Sequence, residues 1–122
     1  MRLNEVTYTD AQPVEGYGDE GFRVGGTVHP GHMICAPTGR QSWGGFGDVA
    51  PLLALSDEID VLFIGTGAEI AHIPGSLRET LENAGLGVET MSTPAACRTY
   101  NVLLSEGRRI ALAVLAVGAA SE

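Results

Sequence analysis

The residues best suited to chemistry gather in one stretch, MSTPAACRTYNVLLSEGRRIALAVLAV, Met91 to Val117. Between an apparent helix start and an apolar strand it carries Arg98, Asn101, Glu106, Arg108 and Arg109. A guanidinium flanked by hydroxyls and an amide suits carboxylate and phosphate groups. The same set can also be the solvated side of a core helix. Thr93 stands at the helix start, where backbone N–H groups without intrahelical partners favour an anion or a polar group. Thr66, in the turn Gly65-Thr66-Gly67, holds an equivalent place beyond another strand, and ligands of open α/β sheets collect at that edge. Two readings stay open for Arg98. It lines a recognition pocket at this edge, or it pairs with Glu106 or a surface carboxylate, a contact worth only ~0–1 kcal/mol.

Other constellations carry less. VLFIGTGAEI resembles the opening of a dinucleotide-binding unit, with Glu89 near the end of the next strand. Ile70 stands where a small residue should let helix and strand pack closely, and Pro74 delays the helix by several residues. A tight turn is preferred, with Gly65 and Gly67 taking φ values unavailable to other residues. His29, His32 and Cys35 lack a fourth ligand and read as a surface turn with two exposed histidines. His72 reads as a loop residue, and Glu79 and Glu82 as the outer face of a helix. No Ser–His–Asp set or G-x-S-x-G elbow is present, and with no lysine there is no Schiff-base candidate. No catalytic residue, metal site or cofactor is assigned.

These groups must be positioned by a mixed α/β frame. Val61 to Ile64 is a continuous apolar strand, Ser76 to Asn83 a helix stopped by Gly85, and Gly87 to Met91 the next strand. Thr93 to Ser105 is a second helix, capped by Ser92 or Thr93 with Pro94 in its first turn. Ala96, Cys97, Tyr100, Leu103 and Leu104 cover its buried face, and Arg98, Asn101 and Ser105 form a polar stripe. Arg109 to Val117 is the last strand. Strand, helix, strand, helix, strand implies three parallel strands with right-handed crossovers. In the first half, His29-Pro30-Gly31-His32 has turn chemistry, predicting a hairpin of Phe22–Val28 with Met33–Ala36. A second turn is expected at Pro37 to Arg40, and Trp43 to Asp48 is expected to be irregular.

The 122 residues suit a single domain with a real core, 1–122. A formal net charge of −8, with seven arginines and no lysine, disfavours nucleic acid and anionic membrane surfaces. Three of those arginines fall between Arg98 and Arg109, a basic patch on an acidic body. The first ten residues lack the apolar core of a signal peptide, and Ile110 to Ala120 falls short of the roughly 20 residues of a membrane span. A cytoplasmic protein with no direct membrane span is expected. Cys35 and Cys97 are too few for a disulfide scaffold and read as buried thiols.

LFIGTG, followed by LRETLENAGLGVETMSTPAACRTYNVLLSEGRRIALAVL, resembles a small domain-of-unknown-function family that includes the mitochondrial complex I assembly factor 3 and uncharacterised bacterial and archaeal proteins. The likeness covers roughly Gly21 to Val117, most specifically AACRTYNVLLSEGR, with GGTVHPGHMI and Ser42-Trp43 also fitting. Many relatives carry Asp where this chain has Ser92, and often Gly where it has Pro94. The resemblance implies a three-layer β/β/α fold with a mixed sheet. It also implies a surface pocket of Gly65, Thr66, Gly67, Met91, Thr93, Arg98, Thr99 and Asn101. No enzyme activity is established for the family, so the first expectation is a non-enzymatic assembly factor or adaptor holding a protein partner, such as a membrane-complex subunit. The alternative is a protein or enzyme that binds an anionic metabolite through the same pocket.

Overall fold

Two neighbouring glycines with positive φ, Gly25 at +63° and Gly26 at +81°, make a tight hairpin in the computed structural model. That pair meets the demand of a two-residue type I′ turn. The structure describes residues 11–118, so Met1 to Asp10, read above as lacking a signal-peptide core, lies outside the described residues. The hairpin joins β2 (Gly21–Val24) to β3 (Thr27–Pro30), and β1 (Gly16–Tyr17) completes an antiparallel sheet in the order β1-β2-β3. The hairpin expected around His29-Pro30-Gly31-His32 is therefore corrected. Pro30 ends β3, and Gly31, at φ +87°, donates its N–H to Glu20 O as the chain crosses to a second sheet.

That second sheet contains β4 (Met33–Ala36), β5 (Gly39–Ser42), β6 (Val61–Gly65), β7 (Gly87–Met91) and β8 (Ile110–Val114), in the order β5-β4-β8-β6-β7. β6 runs parallel to β7 and β8, with Gly65 level with Met91 and Val114. β4 pairs antiparallel with both β5 and β8. The βαβαβ reading of the second half is thus present, and the turn after Ala36 forms as expected. Two bounds differ. The last strand is shorter than Arg109–Val117, although Leu115 and Ala116 stay buried past its end. A four-residue helix α1 (Ala50–Leu53), too short to show a period, follows the glycine-rich stretch and buries Leu52. The stretch itself is irregular yet tied down: Trp43 Nε1 donates to Asp48 O at 2.9 Å, and the indole packs edge-on against Phe46.

The mixed sheet is the middle of three layers. On one face, α1 and α2 (Gly75–Asn83) cover Ile34, Leu62, Ile64, Ala111 and Ala113 through Leu52, Leu77 and Leu81. On the other, the small sheet and α3 (Thr93–Ser105) enclose Met33, Cys35, Phe63, Leu112 and Val114. Alternating residues of one strand feed opposite faces, which is why β8 reads as an unbroken apolar run. α3 buries Thr93, Ala96, Cys97 and Tyr100, spaced i, i+3, i+4, i+7 on one stripe.

Candidate functional site

The C-terminal ends of β6, β7 and β8 are tied into one knot of hydrogen bonds. Gly65, Thr66, Gly67, Met91 and Thr93 all belong to it. The Thr66 N–H donates to Met91 O at 2.9 Å, and the Leu115 N–H to Gly65 O at 3.0 Å. Gly67 and Thr93 exchange two bonds: Thr93 N–H to Gly67 O at 2.7 Å, and Gly67 N–H to Thr93 Oγ1 at 2.9 Å. The Thr93 hydroxyl passes its own proton to Leu115 O at 2.8 Å. The Thr66 hydroxyl donates to Glu69 O at 2.8 Å, with Met91 O at 3.2 Å, and accepts from the Ala71 N–H at 3.0 Å. A hydroxyl has one proton to give. Both threonines commit theirs inside the fold, and Thr93 has no exposed surface at all.

The glycines serve this knot for different reasons. Gly67 has φ +105°, a conformation that side chains disfavour. Gly65 does not; it is glycine because a Cβ would lie 2.6 Å from Val114 Cγ1 and 2.8 Å from Thr93 Cα. The expectation of unusual φ at both positions is corrected for Gly65.

The start of α3 is equally committed. Ser92 caps it, accepting from the Ala95 N–H at 3.4 Å through its hydroxyl and from the Ala96 N–H at 2.8 Å through its carbonyl. Thr93 is bonded to Gly67, and Pro94 has no N–H. The free donors expected for an anion are therefore already used by the protein.

The remaining candidates lie further along α3. Asn101 clamps the N-terminal segment: its Oδ1 accepts from the Val14 N–H at 2.9 Å and its Nδ2 donates to Val14 O at 2.8 Å. Tyr100 adds a bond to Gln12 O at 3.4 Å. Thr99 is half-buried, and Arg98 is exposed with no hydrogen bond or ion pair among the described residues. Arg109 pairs with Asp60 at 3.6 Å, both side chains exposed, as a surface charge should be. His32 is not the exposed turn residue expected. It is half-buried, and its Nδ1 accepts the Ala116 N–H at 2.9 Å. The clamp on Val14 spans 87 residues of sequence and has no local signal. A cleft of about 260 Å³ opens close to the knot, lined by Ile70, Ala71, His72 and Thr90.

Residues 14–115 match the family described as "Protein of unknown function (DUF498/DUF598)". The chain belongs to that family. Among its relatives, an uncharacterised protein of Rhodobacter capsulatus is 45% identical over 115 residues, covering 94% of this chain and 93% of that one. NADH dehydrogenase (ubiquinone) 1 alpha subcomplex assembly factor 3 of Danio rerio is 32% identical over 106 residues, or 81% of this chain. The match spans 61% of that assembly factor's length. Among solved structures, an outer membrane protein from Bartonella henselae superposes with a TM-score of 0.81 at 39% identity, over 89% of this chain and 98% of that one. A Mth938-like domain from Bordetella pertussis superposes with a TM-score of 0.73 at 29% identity, over 97% and 94%. The family thus includes complex I assembly factors as well as uncharacterised proteins. No helix among the described residues is long and apolar enough to cross a membrane.

In this family member the two cysteines are core groups. Burial pushes the Cys35 thiol up to about 12 against the opposing pull of Arg40. Cys97 rises to about 12 through burial and the neighbouring Cys35, with Arg98 pulling the other way. Thiolates are the reactive form, so both thiols should resist iodoacetamide at pH 8 in the folded chain and react once it is unfolded; mass spectrometry of the two states checks this. The sign for stability follows. Above about pH 9 the unfolded chain releases these protons while the folded chain holds them, so stability should fall as pH rises from about 9 towards 12.

Proposed function

We propose that this chain is a non-enzymatic, assembly-factor-like adaptor that binds a partner protein through the exposed side of α3 next to the knot. The observation that carries this reading is Arg98. It stands exposed and unpaired among the described residues, on a helix whose opposite face is fixed in the core. Arginine is enriched among the residues that dominate binding at protein interfaces. Half-buried Met91 and Thr99 flank the same end of the helix. The likeness to complex I assembly factor 3 supports a partner that is itself a subunit under assembly. An anionic metabolite is less well supported, because the hydroxyls and helix-start N–H groups that would orient it are engaged within the fold.

Arg98→Ala should weaken partner capture by about 2 kcal/mol, roughly thirtyfold in Kd, with the melting temperature unchanged. Affinity capture at native expression, compared between wild type and variant by mass spectrometry, reads this directly. Retention of every partner by Arg98→Ala would move the docking surface elsewhere. A melting temperature that rises with a small anion and not with any protein would favour the metabolite.

A further inference from the structure

The five-stranded sheet ends at β7, an edge on which no further strand pairs among the described residues. Gly87 N–H donates to Asp60 O and Met91 O accepts from the Thr66 N–H, both at 2.9 Å, so residues 87, 89 and 91 turn their backbone groups toward β6. Both backbone groups of one strand residue point to the same side, and successive residues alternate. Val88 and Thr90 therefore present theirs outward. Arg78 Nη1 agrees with this direction, reaching Val88 O from α2 at 3.3 Å. The Val88 N–H and both groups of Thr90 have no hydrogen-bond partner among the described residues. Beside them lies the cleft of Ile70, Ala71, His72 and Thr90, where Ile70 is 67% exposed.

We infer that this edge receives an extended, basic segment of the partner protein as an added strand. The inference rests on the adaptor reading and supplies its mode of contact. Main-chain bonds to Val88 and Thr90 would set the register, and alternate side chains would enter the cleft beside Ile70. Charge selects the occupant. Glu89 is exposed on β7 itself and Glu69 on the neighbouring loop, in a chain of net charge −8. Opposite charges across neighbouring strands stabilise pairing and like charges oppose it. A second copy is disfavoured on the same ground: the antiparallel register that joins Val88 to the other copy's Thr90 sets Glu89 against Glu89. The edge lacks the proline or lysine that usually guards such strands. Arg78 guards it in part, occupying Val88 O and repelling a basic strand.

The test titrates three synthetic nine-residue peptides into the isotope-labelled full chain: one alternating lysine with valine and threonine, one with glutamate for lysine, and the first with proline at its centre. The lysine peptide alone should slow amide exchange at Val88 and Thr90. Thr90→Pro removes an outward N–H without touching the β6 ladder, and should weaken that peptide at least fivefold. Glu89→Lys should weaken it comparably, while Arg78→Ala should tighten it. Absence of protection at Val88 and Thr90 at millimolar lysine peptide, or equal binding of the glutamate peptide, overturns the inference. So does a dimer in sedimentation that Thr90→Pro abolishes, which would give the edge to a second copy. If Thr90→Pro does not fold, wild-type protection and Glu89→Lys decide. Loss of the peptide result with Arg98→Ala still impairing partner capture removes this inference alone; failure of both removes the adaptor reading as well.

Discussion

Thr93→Val should destabilise the fold by about 3 kcal/mol, because it strands two buried backbone groups at once. Valine matches threonine in volume, so no cavity opens and packing stays close to native. What disappears is the hydroxyl that accepts the Gly67 N–H at 2.9 Å and donates to Leu115 O at 2.8 Å. Each buried group left without a partner costs about 1–3 kcal/mol, and Thr93 has no solvent contact through which water could replace the hydroxyl. For a chain of this size the melting temperature should fall by roughly 10 °C. Thr93→Ser keeps the oxygen and should lose only about 1 kcal/mol for the missing methyl. Thermal unfolding of the two variants side by side checks the point. A valine variant melting with wild type would mean that the hydroxyl does not hold the three strand ends together, and would return Thr93 to the groups available for a ligand.

The elements legible in the sequence were those whose signals are local. The run Val61–Ile64 and the cap-plus-proline start Ser92-Thr93-Pro94 state strand and helix within a few residues, and the structure places β6 and α3 there. The misplaced hairpin shows the limit. Gly25-Gly26 and His29-Pro30-Gly31-His32 both have turn chemistry, and the choice between them depends on which flanking segments find a sheet. Phe22 packs under α3 with the small sheet, whereas Met33–Ala36 pairs with β8. That choice is tertiary.

The same boundary runs through the candidate site. Residues following the ends of parallel strands must share an edge of the sheet, so gathering Gly65, Thr66, Gly67, Met91 and Thr93 was within reach of the sequence. Where their hydrogen bonds go was not. The acceptor of the Thr93 hydroxyl lies 22 residues away and is a backbone carbonyl, which no side-chain pattern marks. Asn101 illustrates this more sharply: on the helix wheel it shares a stripe with Arg98, yet it is bound at both ends to Val14. The open edge depends on strand order. Gly87 to Met91 would read the same in the middle of a sheet, and only the order β5-β4-β8-β6-β7 leaves Val88 and Thr90 facing out.

Gly65→Ala is the second substitution with a large expected effect, and Gly67→Ala beside it separates two reasons for glycine in one motif. A Cβ on Gly65 meets Val114 Cγ1 at 2.6 Å and Thr93 Cα and Oγ1 at 2.8 Å. The valine methyl could be removed by a second change, but Thr93 Cα is backbone at the start of α3 and moves only if the helix moves. Overpacking of this kind costs about 1–3 kcal/mol, and about 3 is expected here because the knot shifts with the helix. Gly65→Ala combined with Val114→Ala should recover only part of that loss. Gly67 is the opposite case: a Cβ there would meet nothing within 4 Å, but φ is +105°, so its alanine variant should cost about 1–2 kcal/mol of backbone strain. Urea unfolding of the three variants ranks them. If Gly67→Ala proved the costlier, backbone conformation and not the approach of α3 to β6 would be what the glycines of this turn supply. The order expected here makes the turn a packing device, in which Gly65 lets the start of α3 approach the end of β6.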